Sequence, residues 1–208
     1  MSAINEYKNK SSQQGSNLGR NVAFGVAALA GGSILAMAPF VLMYAKSSLP
    51  YMATPRRKVV EALVFMENEL PNKIGKWHFT DLGSGDGEAV LAASKRGWNA
   101  KGIEMNPTLW TISIARRMFQ WSNARFICGD MFSHRIPPSN DAVMIFGIQP
   151  LMPRVEQKLA TEARVGSYVM AYRFELPLRR LDAKVVYHKE DMRIYQIRQN
   201  TKVTHDNT

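Results

Sequence analysis

The sequence predicts an α/β domain on a mostly parallel sheet with an antiparallel edge hairpin, preceded by one N-terminal transmembrane helix. Three observations predict it. Short apolar segments alternate with helix-length segments from Trp77 onward, the pattern of βαβ units. The last two apolar segments, near 184–188 and 192–197, have no helix between them and read as a hairpin. Residues 22–45 carry no charged side chain.

Residues 1–20 are rich in Ser, Asn, Gln and Gly and have no face to bury, so they read as a disordered polar tail. Residues 21–45 read as the anchor. As a helix, 22–45 is about 36 Å long, enough to cross a hydrocarbon core of about 30 Å. Its glycines and Pro39 are tolerated in a membrane helix, and Arg20 and Lys46 bracket it. A cleaved signal peptide fits less well, because the apolar run continues through Phe40 past the small residues Ala36 and Ala38. The flanking cations nearly balance and leave the orientation open.

Residues 46–76 read as a linker and a helix, with Thr54 as its N-cap, Pro55 at its first position and Pro71 ending it. Val59, Leu63, Met66 and Leu70 share one face. Arg56, Arg57 and Lys58 oppose the helix dipole, so they are expected to meet anionic lipid headgroups or to form a solvated cluster. Residues 77–200 form the α/β domain, with strands at 77–82, 100–104, 124–128, 142–146 and 167–172 before the hairpin. Helices fall near 87–96, 107–120 and 151–162, and 201–208 are frayed.

Composition narrows the chemistry. Lys and Arg number 27 against 17 Asp and Glu, a net +10 that implies an anionic partner. One cysteine and four scattered histidines give no disulfide and no metal-ligand spacing.

The first strand runs into Asp81-Leu82-Gly83-Ser84-Gly85-Asp86-Gly87 and then a helix. A dinucleotide fingerprint needs its third glycine where Glu88 stands, and a P-loop needs a Gly-Lys-Ser/Thr that is missing. Asp81 and Asp86 would repel phosphate, so the loop suits a neutral or cationic ligand. Glu104 ends the second strand, placed to accept hydrogen bonds from two ribose hydroxyls. Asp130 follows the third strand, before Met131, placed to read an adenine amino group. An adenosine without phosphate and with a positive sulfonium describes S-adenosylmethionine.

These residues, with Glu104-Met105-Asn106-Pro107, resemble the class I, Rossmann-like seven-stranded methyltransferases. Pro50-Tyr51, Ile145-Phe146-Gly147, Leu159 to Glu162 and Arg173-Phe174 extend the resemblance to the small membrane-anchored mitochondrial lysine methyltransferases that modify the ATP synthase c subunit and the adenine nucleotide translocase. The chain departs from that family after Phe174. The resemblance implies S-adenosyl-L-methionine as methyl donor, contacted by Asp81, Gly83, Gly85, Gly87, Glu104, Asn106, Asp130 and Met131. It also implies a membrane protein with an exposed lysine as acceptor and the mitochondrial inner membrane as location.

Methyl transfer from a sulfonium is an in-line displacement, so positioning the nucleophile is most of the catalysis. A lysine amine of pKa about 10.4 is neutral only about once in 2,500 at pH 7, a cost of roughly 4.6 kcal/mol unless the site lowers that pKa. Tyr51 and Gln149 are the candidates to orient it, with an interfacial anchor and a loop cap as their alternative roles. The turn around Gln149 lacks the Asn/Asp-Pro-Pro-aromatic motif of enzymes that methylate base amines. Phe132 and Trp121 offer stacking, but Trp121 reads better as a helix-end core residue, and no nucleic-acid partner is expected. Two other readings are methylation of a membrane-dissolved quinone or lipid, and a non-catalytic assembly factor. The retained Asp81, Gly83, Gly85 and Glu104 oppose the latter.

Overall fold

A computed structural model of the chain describes residues 54–69, 75–147 and 149–200. The chain divides into two units, residues 1–49 and 50–208, and every described residue lies in the second. The tail and anchor at 1–45, Tyr51 and the end at 201–208 lie outside the described residues. Among the described residues no helix is long and apolar enough to cross a membrane.

Seven strands form one sheet: β1 (His78–Leu82), β2 (Asn99–Glu104), β3 (Arg125–Cys128), β4 (Ala142–Ile145), β5 (Tyr168–Tyr172), β6 (Leu181–Lys189) and β7 (Met192–Asn200). Their order is β3-β2-β1-β4-β5-β7-β6. The first five are parallel, while β7 runs antiparallel to both β5 and β6. The hairpin lies at the edge, as the sequence predicts, but β6 starts earlier, at Leu181. The bulges between Asp182 and Ala183 and between Val185 and Tyr187 disturb the two-residue alternation that would have marked it.

Among the described residues four helices pack on the sheet: α1 (Arg56–Glu69), α2 (Glu88–Lys95), α3 (Pro107–Phe119) and α4 (Met152–Glu162). One core joins Val59, Leu63 and Met66 of α1, Val90 of α2 and the sheet residues Phe79, Met144 and Met170. The other joins Val155 and Leu159 of α4 to Leu82, Ile103, Val143, Ile145 and Val169. Met144 and its neighbours Val143 and Ile145 therefore enter opposite layers, as strand alternation requires. Trp77 and Trp98 stack at 4.7 Å, and Glu67 binds the Trp98 indole N–H at 2.7 Å and the Arg96 guanidinium.

The cations of α1 have carboxylate neighbours. Arg56 pairs with Glu88 at 3.5 Å, Arg57 with Glu61 at 3.2 Å, and Lys58 with Glu190. Folding brings Glu88 and Glu190 to them from other elements, and these pairs offset the opposing helix dipole. Trp121 differs from the expectation: it is 94% exposed rather than in the core.

Candidate active site

β1 lies between β2 and β4, and the chain leaves the sheet in opposite directions on either side, the place where open α/β sheets bind ligands at their strand ends. The loop between β1 and α2 sits there. Gly83 and Gly85 have φ of 83° and 55°, which glycine adopts without strain. A Cβ at Gly83 would meet nothing within 4 Å, so the loop borders open space at that point.

The amides of Gly83, Ser84, Gly85, Gly87 and Glu88 are already committed inside the protein. Gly83 and Ser84 donate to the Ile103 carbonyl at 2.9 and 3.0 Å, Gly87 to Ser84 at 2.9 Å, and Glu88 to the Asp86 carboxylate at 3.2 Å. Gly85 donates to Glu104 Oε2 at 2.8 Å. A phosphate-binding loop leaves such amides for its ligand, and this one presents carboxylates.

Glu104 is nearly buried, and its other oxygen accepts from the Asn106 amide at 2.7 Å. Each carboxylate oxygen has two acceptor positions, so one remains on each for a diol. The Asn106 side chain caps α3 by accepting from Thr108 at 2.9 Å, with Pro107 in the first turn. The Glu-x-Asn-Pro sequence is thus a device that starts a helix where Glu104 must point into the cleft.

Asp81 is buried at the end of β1. Burial first, and then the charges of Glu104 and Asp86, push its carboxyl up to about 8. A cationic ligand beside it would reverse that shift. Asp130 accepts from the Phe132 amide through Oδ1 at 2.9 Å, while half-buried Met131 packs against the core beneath. Ser84 in the loop and Trp110 in α3 each keep a buried polar side-chain atom with no hydrogen-bond partner among the described residues. Ser84 Oγ lies against Gly102 and Val90, on the sheet side of the loop. A diol acceptor, carboxylates for a positive centre and a loop whose amides are largely engaged together fit S-adenosylmethionine.

Gly87 fills a packing position. A Cβ there would stand 2.6 Å from the Phe126 ring and 2.9 Å from Ser113, so this glycine lets α2 approach β3 and α3.

Sequence reasoning missed three groups that shape the site. Arg116 on α3 binds both Asp86 and Glu88 and clamps the loop's far end. Glu156 on α4 is buried and accepts from the amides of Arg180 and Leu181 at 2.6 and 3.2 Å. Lys158 bonds the His134 carbonyl at 2.7 Å and pairs with Glu162, which accepts from the Ile136 amide at 2.8 Å. α4 therefore staples the loops that follow both β3 and β5. Apart from the Lys158–Glu162 pair, four residues apart on α4, the partners lie 24 to 30 residues away in sequence, beyond the reach of any local pattern.

Gln149 is exposed in a short 3₁₀ turn, Gln149–Leu151, after β4. It lines a groove of about 620 Å³ with Arg154, Glu156, Leu176, Arg179 and Arg180, at the carboxyl end of β4 and β5. Arg173 and Leu178 in the groove-side segment have φ of 71° and 51°. Glu156 helps hold this segment in place from below.

Comparison with known proteins agrees with this geometry. The model of the ANTKMT methyltransferase domain matches residues 81–185. The ATP synthase c-subunit lysine N-methyltransferase of Rattus norvegicus is 30% identical over 164 residues, 76% of this chain and 73% of the relative. That of Caenorhabditis elegans is 31% identical over 170 residues, 77% of this chain and 87% of the relative. The adenine nucleotide translocase lysine N-methyltransferase of Mus musculus is 32% identical over 135 residues, 62% and 55% of the two chains. Among solved structures, an RNA methyltransferase of Salinibacter ruber in complex with S-adenosyl-L-homocysteine superposes with a TM-score of 0.59 at 21% identity, covering 71% of this chain and 94% of that one. At that identity the likeness concerns the fold. The chain belongs to the ANTKMT methyltransferase-domain family and is an S-adenosylmethionine-dependent methyltransferase.

Proposed function

We propose that the chain is a protein-lysine N-methyltransferase acting on a membrane-embedded protein such as the ATP synthase c subunit or the adenine nucleotide translocase. Residues 21–45 would hold it in the mitochondrial inner membrane. The relatives' acceptors support the substrate class, and the cluster of Asp81, Glu104 and Asp130 around a loop with committed amides carries the cofactor reading.

When bound, S-adenosylmethionine would supply a methyl group on a positive sulfur: as the lysine nitrogen bonds to that carbon the C–S bond breaks with its electron pair kept by sulfur, leaving a neutral thioether, and the amine's proton goes to water. The chain's own work is placement. Glu104 takes the ribose hydroxyls, Asp130 the adenine amino group, and Asp81 faces the positive end. Gly83 and Gly85 give the backbone its close approach, with Asn106 and Met131 bordering it and Gly87 seating the helix that follows.

The acceptor enters by the groove beside Gln149, whose amide oxygen orients the amine together with Tyr51. Arg154, Arg179 and Arg180 line that groove, and neighbouring cations favour the neutral, nucleophilic form of a lysine. The test is mass spectrometry of membrane proteins from cells without the gene, restored with wild type, Glu104→Ala or Gln149→Ala. Wild type restores lysine methylation on one membrane protein and Glu104→Ala does not. Unchanged lysine methylation in every sample, or methyl gain on a lipid or quinone alone, overturns the reading. Gln149→Ala is expected to lower kcat about 10- to 100-fold with cofactor affinity unchanged.

A further inference from the structure

The end of α3 presents Met118, Phe119 and Trp121 to solvent at 69%, 86% and 94% exposure. Exposure of a single scattered apolar residue needs no account, but three large ones side by side do. Ile112, 42% exposed, and exposed Ala115 continue the stripe along the same helix face as Phe119.

The presentation is built. Trp121 has φ of 49°, a conformation bulky residues rarely adopt. The Trp121 amide donates to the Met118 carbonyl at 3.2 Å and the Ser122 amide to Arg117 at 3.0 Å. Ser122 Oγ then bonds Ser94 Oγ on α2 at 2.8 Å and accepts from the Ala124 amide at 3.1 Å. These bonds tie the turn to α2 and hold the indole outward.

The charge around it has one sign. Residues 105–129 contain Arg116, Arg117 and Arg125 and no Asp or Glu. Arg116 is turned inward to Asp86 and Glu88, whereas Arg117 and Arg125 are exposed, as is Lys95 beside Ser94. No ion pair engages these three cations among the described residues.

We propose that this ridge docks on an anionic lipid bilayer, with Phe119 and Trp121 in the interface and Arg117, Arg125 and Lys95 on lipid phosphates. A projecting indole flanked by cations fits a deformable interface, where tryptophan is enriched and anionic headgroups supply the counter-charge. The ridge lies at the amino end of β3, away from the cofactor loop at the carboxyl ends. Contact along the Ile112–Phe119 stripe lays α3 on the membrane and leaves that loop open to the side. This surface is separate from the acceptor groove, and its assignment does not depend on which protein is methylated.

The chain's four tryptophans are Trp77, Trp98, Trp110 and Trp121, so the emission of Trp121 is obtained by subtracting the Trp121→Phe protein from wild type. The full chain is placed in vesicles of brominated phosphatidylcholine, with and without phosphatidylglycerol. The Trp121 emission is expected to shift to the blue and to be quenched by bromine, more strongly with phosphatidylglycerol. Arg117→Gln with Arg125→Gln is expected to reduce that quenching about threefold or more, with cofactor binding and circular dichroism unchanged. Emission that stays at the wavelength of water-exposed indole overturns the proposal. A blue shift without bromine quenching also overturns it, since a second copy or another part of this chain then covers the ridge.

Discussion

Glu104 Oε2 accepts the Gly85 amide at 2.8 Å, joining the end of β2 to the middle of the glycine loop nineteen positions earlier. The carboxylate proposed to receive the cofactor's ribose therefore also sets the loop beside it. Because Oε1 holds the Asn106 amide, one side chain fixes the start of α3 as well.

Glu104→Ala removes both anchors and the diol acceptor together. Hydrogen bonds to charged groups contribute about 1.5–3 kcal/mol each, so cofactor affinity should fall at least about 100-fold by calorimetry. Asp130→Asn, which keeps the Phe132 turn through its amide oxygen, should cost about tenfold. Equal affinity in wild type and Glu104→Ala would place the cofactor elsewhere.

The Asp81 carboxyl, raised to about 8 by burial and by Glu104 and Asp86, makes cofactor binding and stability respond to pH in opposite directions. A cationic ligand binds the ionised form, so affinity should rise by up to about tenfold per pH unit toward pH 8 and then level off. Proton release on binding is measurable by calorimetry in buffers of different ionisation enthalpy. Without ligand, the folded protein keeps this proton while the unfolded chain loses it near its ordinary value of 3.8. Stability is thus fully present below that value and declines as pH rises toward 8. Asp81→Asn should remove this decline, melt above wild type at pH 8 in the absence of ligand, and bind cofactor weakly at every pH.

Gly87→Ala should destabilise by about 2–4 kcal/mol, from the left-handed φ of 82° and the clash with Phe126. Gly83→Ala, with no neighbour to strike, should cost only about 1–2 kcal/mol in the protein without ligand. Denaturant melts of both, and of Gly87→Ala with Phe126→Ala, separate the terms. A double variant no more stable than the sum of the singles would exclude the ring clash.

Glu156→Ala leaves the buried Leu181 amide and the part-buried Arg180 amide unpaired, a loss of about 1–3 kcal/mol. Because it releases the groove wall and touches nothing at the cofactor loop, KM for the acceptor should rise while cofactor affinity stays level. Glu156→Gln keeps an acceptor oxygen and should recover most of both. An equal loss of cofactor affinity in Glu156→Ala would mean that α4 supports the whole cleft.

Much of the fold was written locally. Asp81 to Gly87 announced a strand-to-helix turn, Asn106-Pro107 a helix start, and the apolar alternation from Phe79 to Met170 the parallel strands. Glu104, directly after Ile103, and Asp130, two residues after Cys128, could be placed at strand ends by counting alone. β6 was blurred because its bulges interrupt the period on which such counting depends.

The sequence by itself determined the sheet, the loop and the chemical type of its ligand, because these follow from backbone conformation and charge within short spans. Only the tertiary structure decided which charges meet. It turned Arg116 onto Asp86 and Glu88, gave Arg56, Arg57 and Lys58 carboxylate partners, buried Glu156 beside the groove at Gln149 and left Trp121 in water. Pairing and burial depend on distances between segments remote in the chain, which hydrophobic period and residue spacing do not encode.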